Sequence, residues 1–250
     1  MGWITKITKI EPNKITVRGQ KLDELMGRLS FAEVVYLVLK GELPSESHRK
    51  ILDAILVASI DHGVTPPSTV AARTVASCGV ELTSALAAGI ISISKHHGGA
   101  IEDCMKALRS AVEEVQTSGL SHDEVARKIV ERMKESGKRL PGFGHRIHTQ
   151  DPRTKKLRSL AAEAGLHGPC LEMSASLEKA LKDSSGKELP LNVDGAIAAV
   201  LCEMDFPSSI GNAFFVIGRV PGLVAHIQEE TTTMKPMRTV VPSEAEYQGK

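Results

Sequence analysis

The sequence predicts a mainly α-helical fold with one small β-hairpin, and three observations carry that prediction. Capping patterns such as Ser30-Phe31-Ala32-Glu33 open apolar-periodic runs. Glycines and prolines, among them Gly41, Gly165, Gly168, Pro190 and Pro207, punctuate those runs at helix-length intervals. Ile- and Thr-rich strand sequence is confined to the N-terminus.

Taken in order, Trp3 to Val17 carries Glu11-Pro12-Asn13-Lys14 as turn chemistry in its middle and reads as the hairpin. The capping box at Ser30 starts a helix that runs to about Lys40 and is closed by Gly41. A second helix is expected from Ser45 to about Ile60, and a third from Pro66-Pro67, which suit a first helical turn, to Ser77. Val80 to Ile93 is almost wholly apolar, so it is expected to be a buried central helix. Ile101–Val115 and Ser121–Ser136 read as amphipathic helices. Arg153–Ala164, Pro169–Lys182, Gly195–Met204 and Ile210–Ile227 read as four more. Met234 to Lys250 has no periodicity and is expected to form an extended arm.

Composition bounds the class. A chain of 250 residues suffices for one large domain or two modest ones sharing a cleft. With 42% hydrophobic and 24% charged residues it reads as a soluble globular protein. A net charge of +1 argues against a broad nucleic-acid-binding surface. Cys78, Cys104, Cys170 and Cys202 are scattered without a Cys-x-x-Cys pair, and are expected to be small buried residues rather than metal ligands or bridges. The first residues show no basic leader followed by an apolar run, and no uninterrupted apolar stretch approaches about 18 residues. A cytoplasmic protein with no membrane span is the expectation.

Three short segments carry candidate chemistry: His96-His97-Gly98-Gly99-Ala100, Pro141-Gly142-Phe143-Gly144-His145-Arg146 and Asn192-Val193-Asp194-Gly195. Two set a histidine against glycines, where backbone can approach a ligand closely. The third sets a carboxylate in an apolar stretch, where partial burial suits proton transfer. Two imidazoles and a carboxylate are the minimum equipment for making or breaking a carbon–carbon bond beside a thioester. Taken singly, each segment also reads as a structural turn, an exposed His-Arg loop or a helix N-cap. Gly142-Phe143-Gly144 is not a nucleotide fingerprint, because no βαβ unit surrounds it. His96-His97 has no metal-ligand spacing.

In that order and company, the segments resemble the citrate synthase superfamily over nearly the whole chain. Ser30 to Pro44 looks like the early helix of citrate synthases, and Asp61-His62, Asp151-Pro152-Arg153 and Gly218-Arg219-Val220-Pro221-Gly222 with Ala225-His226 match further motifs. The resemblance implies three catalytic residues. His97 stabilises the acetyl-CoA enol, His145 serves the oxaloacetate carbonyl or citryl alcohol, and Asp194 exchanges a proton with the acetyl methyl group. It implies substrate carboxylates held by His62, Arg153 and Arg219. Arg238 is the best substitute for an arginine that synthases donate to the neighbouring subunit, since Val241 stands before Pro242 here. Coenzyme A is expected against Gly142, Phe143, Gly144 and Arg146.

Two departures point to the citryl-CoA-cleaving branch. Only one helix fits between Leu43-Pro44 and Asp61-His62, as in the lyase module of ATP-citrate lyase. The run from His145 to Arg153 is one residue shorter than the synthase spacing, as in free-standing citryl-CoA lyases. The expected activity is cleavage of citryl-CoA to acetyl-CoA and oxaloacetate. The alternatives are citrate or 2-methylcitrate synthase activity and a catalytically silent CoA-binding oligomerisation module. No metal or other cofactor is expected, because CoA enters as part of the substrate. The resemblance also implies a homodimer or a multiple of one. It further implies a large lobe of residues 1–99 and 211–250 and a small lobe of residues 100–210.

Overall fold

A computed structural model describes residues 2–144, 151–186 and 189–249. Strands β1 (Thr8–Glu11) and β2 (Lys14–Val17) form the expected hairpin, and a two-residue β3 (Gln20–Lys21) extends it in the order β1-β2-β3, antiparallel throughout. Helices α1 (Leu22–Leu25), α2 (Phe31–Lys40), α3 (Glu46–Ala58), α4 (Pro67–Ala76), α5 (Leu82–Ile91) and α6 (Ala100–Ser118) follow. Then come α7 (His122–Ser136), α8 (Pro152–Glu163), α9 (Pro169–Ser185), α10 (Val193–Glu203) and α11 (Gly211–Thr233).

Local chemistry sets the ends. Ser30 and Ser121 each accept a bond from the backbone N–H of the glutamate three residues on, and that glutamate answers to the serine's own N–H. Left-handed Gly41 and Gly137 close the same two helices.

The described chain divides into two compact units, residues 1–57 with 101–211, and residues 58–100 with 212–250. In the first unit α10 is the buried centre: Val193 and Gly195 to Cys202 are all shielded. Its sequence is apolar on every face, so it needs neighbours all round, and α8 and α9 pack against it. Phe206 joins this core edge-on to Tyr36, with centroids 5.4 Å apart. In the second unit Ala72, Ala76, Ala85, Leu223 and Ile227 form a core shared by α4, α5 and α11.

Two expectations are corrected. Helix α5 is not a buried centre: only Ala85 and Gly89 are shielded, and Ile91 is 79% exposed. A uniformly apolar run gives no periodicity from which to read its buried face, and here α10 takes the central place. Cys78 is exposed, whereas Cys104, Cys170 and Cys202 are buried, free thiols. Among the described residues, Ser208–Thr233 is long and apolar enough to cross a membrane by length and composition, although Arg219 interrupts its apolar run. Its Leu223 and Ile227 nevertheless lie in the core cluster, and it carries buried Arg219 and Glu230.

Candidate active site

The expected site residues divide between the two units. In the first, Asp194 lies half-buried in the first turn of α10. It is not the cap. Asn192 takes that role, its side-chain oxygen accepting from the Gly195 N–H at 3.1 Å. That leaves the Asp194 carboxylate near the positive end of the helix dipole.

The Pro141–Gly144 loop is laced to the segment that leads into α10. Gly144 N–H donates to the Pro190 carbonyl at 2.8 Å, and Asn192 N–H donates to the Gly142 carbonyl at 3.0 Å. Asn192 Nδ2 adds a bond to the Gly144 carbonyl, also 3.0 Å. The sequence motifs around residues 142 and 194 therefore form one structural piece. Gly142 has φ +83°, and a Cβ there would stand 2.8 Å from Gly195 Cα and 2.7 Å from Cys104 Sγ. A methyl on Gly195 would in turn strike the Gly142 carbonyl oxygen. The close approach requires both glycines. Burial pushes the Cys104 thiol pKa up, and the neighbouring Asp194 charge adds to that.

His145 and Arg146, expected to serve catalysis and CoA, lie outside the described residues. Arg153 is the second residue of α8. Its Nε and Nη2 grip the Asp151 carboxylate at 3.1 and 2.7 Å, while Asp151 caps the helix through the Arg153 N–H. Arg153 thus faces a buried partner that the sequence did not reveal as one. Beside Phe143 and Gly144 lies a cavity of about 500 Å³, bordered by Leu140, Leu181 and Leu189 and by Lys134, Lys138 and Arg139. A second, of about 640 Å³, runs along α8 and α9 past Asp151, Arg158 and Leu191.

In the second unit, His97 is partly buried in a tight turn whose backbone is bonded twice to Ser94, both at 2.8 Å. Its Nε2 lies 2.7 Å from the hydroxyl of the fully buried Ser68. Phe215 meets the ring edge-on, 5.9 Å between centroids. Burial lowers the His97 pKa, and the Arg219 and His62 charges lower it further. Arg219 is buried, donates from Nε to the Ser59 carbonyl at 2.8 Å and stacks over Phe215 at 4.6 Å. His62 is exposed in the turn after Asp61. The structure therefore brings His62 and Arg219 within electrostatic reach of His97. Arg238 is placed otherwise: both Nε and Nη2 bind Glu230 of its own unit, at 2.9 and 2.6 Å.

The family described as "Citrate synthase, C-terminal domain" matches residues 44–240. The chain belongs to the citrate synthase family. Among its relatives is the putative citrate synthase 2 of Mycobacterium tuberculosis, 32% identical over 206 residues, covering 80% of this chain and 52% of the relative. The chain thus spans about half the length of the curated relatives it matches. Among solved structures, the citryl-CoA lyase from Hydrogenobacter thermophilus is 42% identical and superposes with a TM-score of 0.89, covering 99% of this chain and 95% of the lyase. ATP citrate lyase from Methanothrix soehngenii superposes with a TM-score of 0.85 at 22% identity, covering all of this chain and 42% of that one. That last likeness is one of fold.

Ser68 and Phe215 were not singled out from the sequence, and Asp151 was named there only as part of a motif, not as the partner of Arg153. Ser68 and Phe215 surround His97 from α4 and α11, 29 and 118 residues away, and no local pattern joins them.

Proposed function

We propose that this chain is a citryl-CoA lyase, cleaving citryl-CoA to acetyl-CoA and oxaloacetate. The observation that carries the reading is the near full-length likeness to a citryl-CoA lyase in both chains. The local geometry around Asp194 and His97 supports it.

His145 removes the proton from the tertiary alcohol of citryl-CoA. The oxygen lone pair becomes the ketone of oxaloacetate as the adjacent carbon–carbon bond breaks. The bonding pair moves onto the acetyl fragment as a thioester enolate. His97 stabilises that enolate by a hydrogen bond to its oxygen, where charge develops. The Ser68 hydroxyl, donating to Nε2, would leave the ring proton on Nδ1, so Nδ1–H is the donor; the lowered His97 pKa keeps the ring neutral. Asp194, protonated at the start of the cycle, delivers the proton that converts enolate to acetyl methyl; loss of the His145 proton to solvent and reprotonation of Asp194 restore both groups, with no net proton change. His62, Arg153 and Arg219 bind substrate carboxylates, with Arg153 exchanging Asp151 for substrate. The cavity beside Phe143–Gly144 suits the nucleotide end of CoA: leucines for the base, Lys134, Lys138 and Arg139 for its phosphates. A homodimer accords with the exposed apolar residues Val70, Leu82 and Ile91 of the α4–α5 region.

Exchange of acetyl-CoA methyl protons with solvent tests the assignment, because it needs only the enol half of the reaction. Asp194→Asn and His97→Ala should each suppress it by about 10²–10⁴-fold, whereas His145→Ala should spare it and abolish cleavage. Exchange at the unaltered rate in His97→Ala removes that residue from the enol.

A further inference from the structure

The sequence motif ending in Ala225-His226 has a role in the second unit that the chemistry above does not use. Phe215, Arg219, Gly222 and His226 are spaced four, three and four residues apart, so they line one face of α11. Every one of them touches a turn that carries a candidate site histidine. Phe215 packs on His97, and Arg219 holds the Ser59 carbonyl. At Gly222 a Cβ would strike the Ile60 carbonyl and lie 3.1 Å from Asp61 Cβ, so the helix and the 59–61 segment are in direct contact there. His226 then places Nε2 3.0 Å from Asp61 Oδ1.

Asp61 is the hinge of this contact. Its other carboxylate oxygen accepts from the Gly63 N–H at 2.9 Å, and it also takes the His62 N–H, so the carboxylate caps the turn that presents His62. Burial pushes its pKa up, but these N–H groups and His226 outweigh it and hold the carboxyl below its usual value. On the far side of the His226 ring, Arg73 Nη1 lies 3.1 Å from Nδ1. An arginine N–H can only donate, so Nδ1 must accept and the ring proton must sit on Nε2, facing Asp61. Arg73 is itself fixed by Glu229 at 2.6 Å and Glu230 at 2.7 Å, and Glu230 is in turn held by Arg238.

We infer that His226 is a positioning residue: oriented by Arg73, it holds the Asp61 carboxylate in place and thereby fixes the turn that presents His62. Arg238 acts at the outer end of the same chain of contacts, through Glu230. The consequence for substrate rests on the proposed role of His62 in binding the oxaloacetate carboxylates. The consequence for the turn does not.

The test uses His226→Ala, and His226→Gln, whose side-chain amide can still donate to Asp61. In His226→Ala, hydrogen exchange at the His62 and Gly63 amides should accelerate by about 10- to 100-fold, the loss expected for a hydrogen bond to a charged group. Exchange in the α7 and α9 cores should be unchanged. Oxaloacetate affinity by calorimetry should fall by a similar factor, raising KM for citryl-CoA more than it lowers kcat. His226→Gln should restore most of both. Unchanged amide exchange in His226→Ala, or acceleration throughout the unit that Gln does not repair, would overturn the inference. Failure of the unaltered protein to bind oxaloacetate would refute the functional reading of His62 alone, since amide exchange still decides the positioning.

Discussion

Gly195→Ala is the sharpest single perturbation of the piece that carries Asp194. The added methyl would stand 2.5 Å from Leu191 Cδ1, about 0.9 Å inside the 3.4 Å where ordinary contact begins. It would stand closer still to the Gly142 carbonyl oxygen. Backbone on one side and a buried leucine on the other leave no flexible side-chain end to yield. Overpacking of this kind costs about 1–3 kcal/mol. The displaced Gly142 and Gly144 carbonyls are also the acceptors for Asn192 N–H and Nδ2, and each such bond is worth about 0.5–1.5 kcal/mol net. A loss of about 2–6 kcal/mol in denaturant unfolding is therefore expected. The loop and Asp194 would part by most of an ångström, enough to cost about 10²-fold in turnover. Gly119→Ala is the control: its Cβ meets nothing within 4 Å, so only the strain of φ +71° applies, about 1–2 kcal/mol, with activity intact. Gly195→Ala matching that control in both stability and turnover would refute the close-approach account.

Three further outcomes follow from the same geometry. Arg73→Met should destabilise by about 3–5 kcal/mol, because Arg73 and Glu230 are both buried; Arg238→Ala should cost well under half of that, its side chain being 42% exposed, and equal losses would contradict the network. The folded His97 pKa lies below the unfolded value of about 6.5, so the unfolded state binds more protons below that pH, and stability is lost as pH falls from about 6.5 through the folded value; His97→Gln should remove that portion of the acid sensitivity in denaturant titrations at pH 7.5 and 5.5. Asp151→Ala should remove the N-cap of α8 and release Arg153, lowering thermal stability by the equivalent of about 0.5–2 kcal/mol, and unchanged stability would contradict the capping role of Asp151.

Much of this was legible in the sequence. Capping boxes at Ser30 and Ser121 fixed two helix starts because both partners lie within four residues. The hairpin was visible in its turn chemistry, but β3 has only two residues and left no pattern. The buried face of α5 was misjudged because an all-apolar run shows no face. At the site, the residues that bear chemistry sit in glycine-rich motifs, so they could be found one motif at a time. What those motifs touch could not. Asp151 looked like part of a substrate motif, yet its carboxylate holds Arg153. Arg238 looked free to reach a neighbour, yet it pairs with Glu230 eight residues back. The spacing 215, 219, 222, 226 was readable as one face of a helix. Its meaning depended on knowing that the 59–63 turn and His97 lie against that face.

Product analysis with citryl-CoA tests the central claim most directly. Purified protein incubated with citryl-CoA, with products separated and weighed by mass spectrometry, should yield acetyl-CoA and oxaloacetate in equal amounts, and Asp194→Asn should yield almost none. Release of citrate and free CoA instead, or citryl-CoA left intact by the unaltered protein, would contradict it.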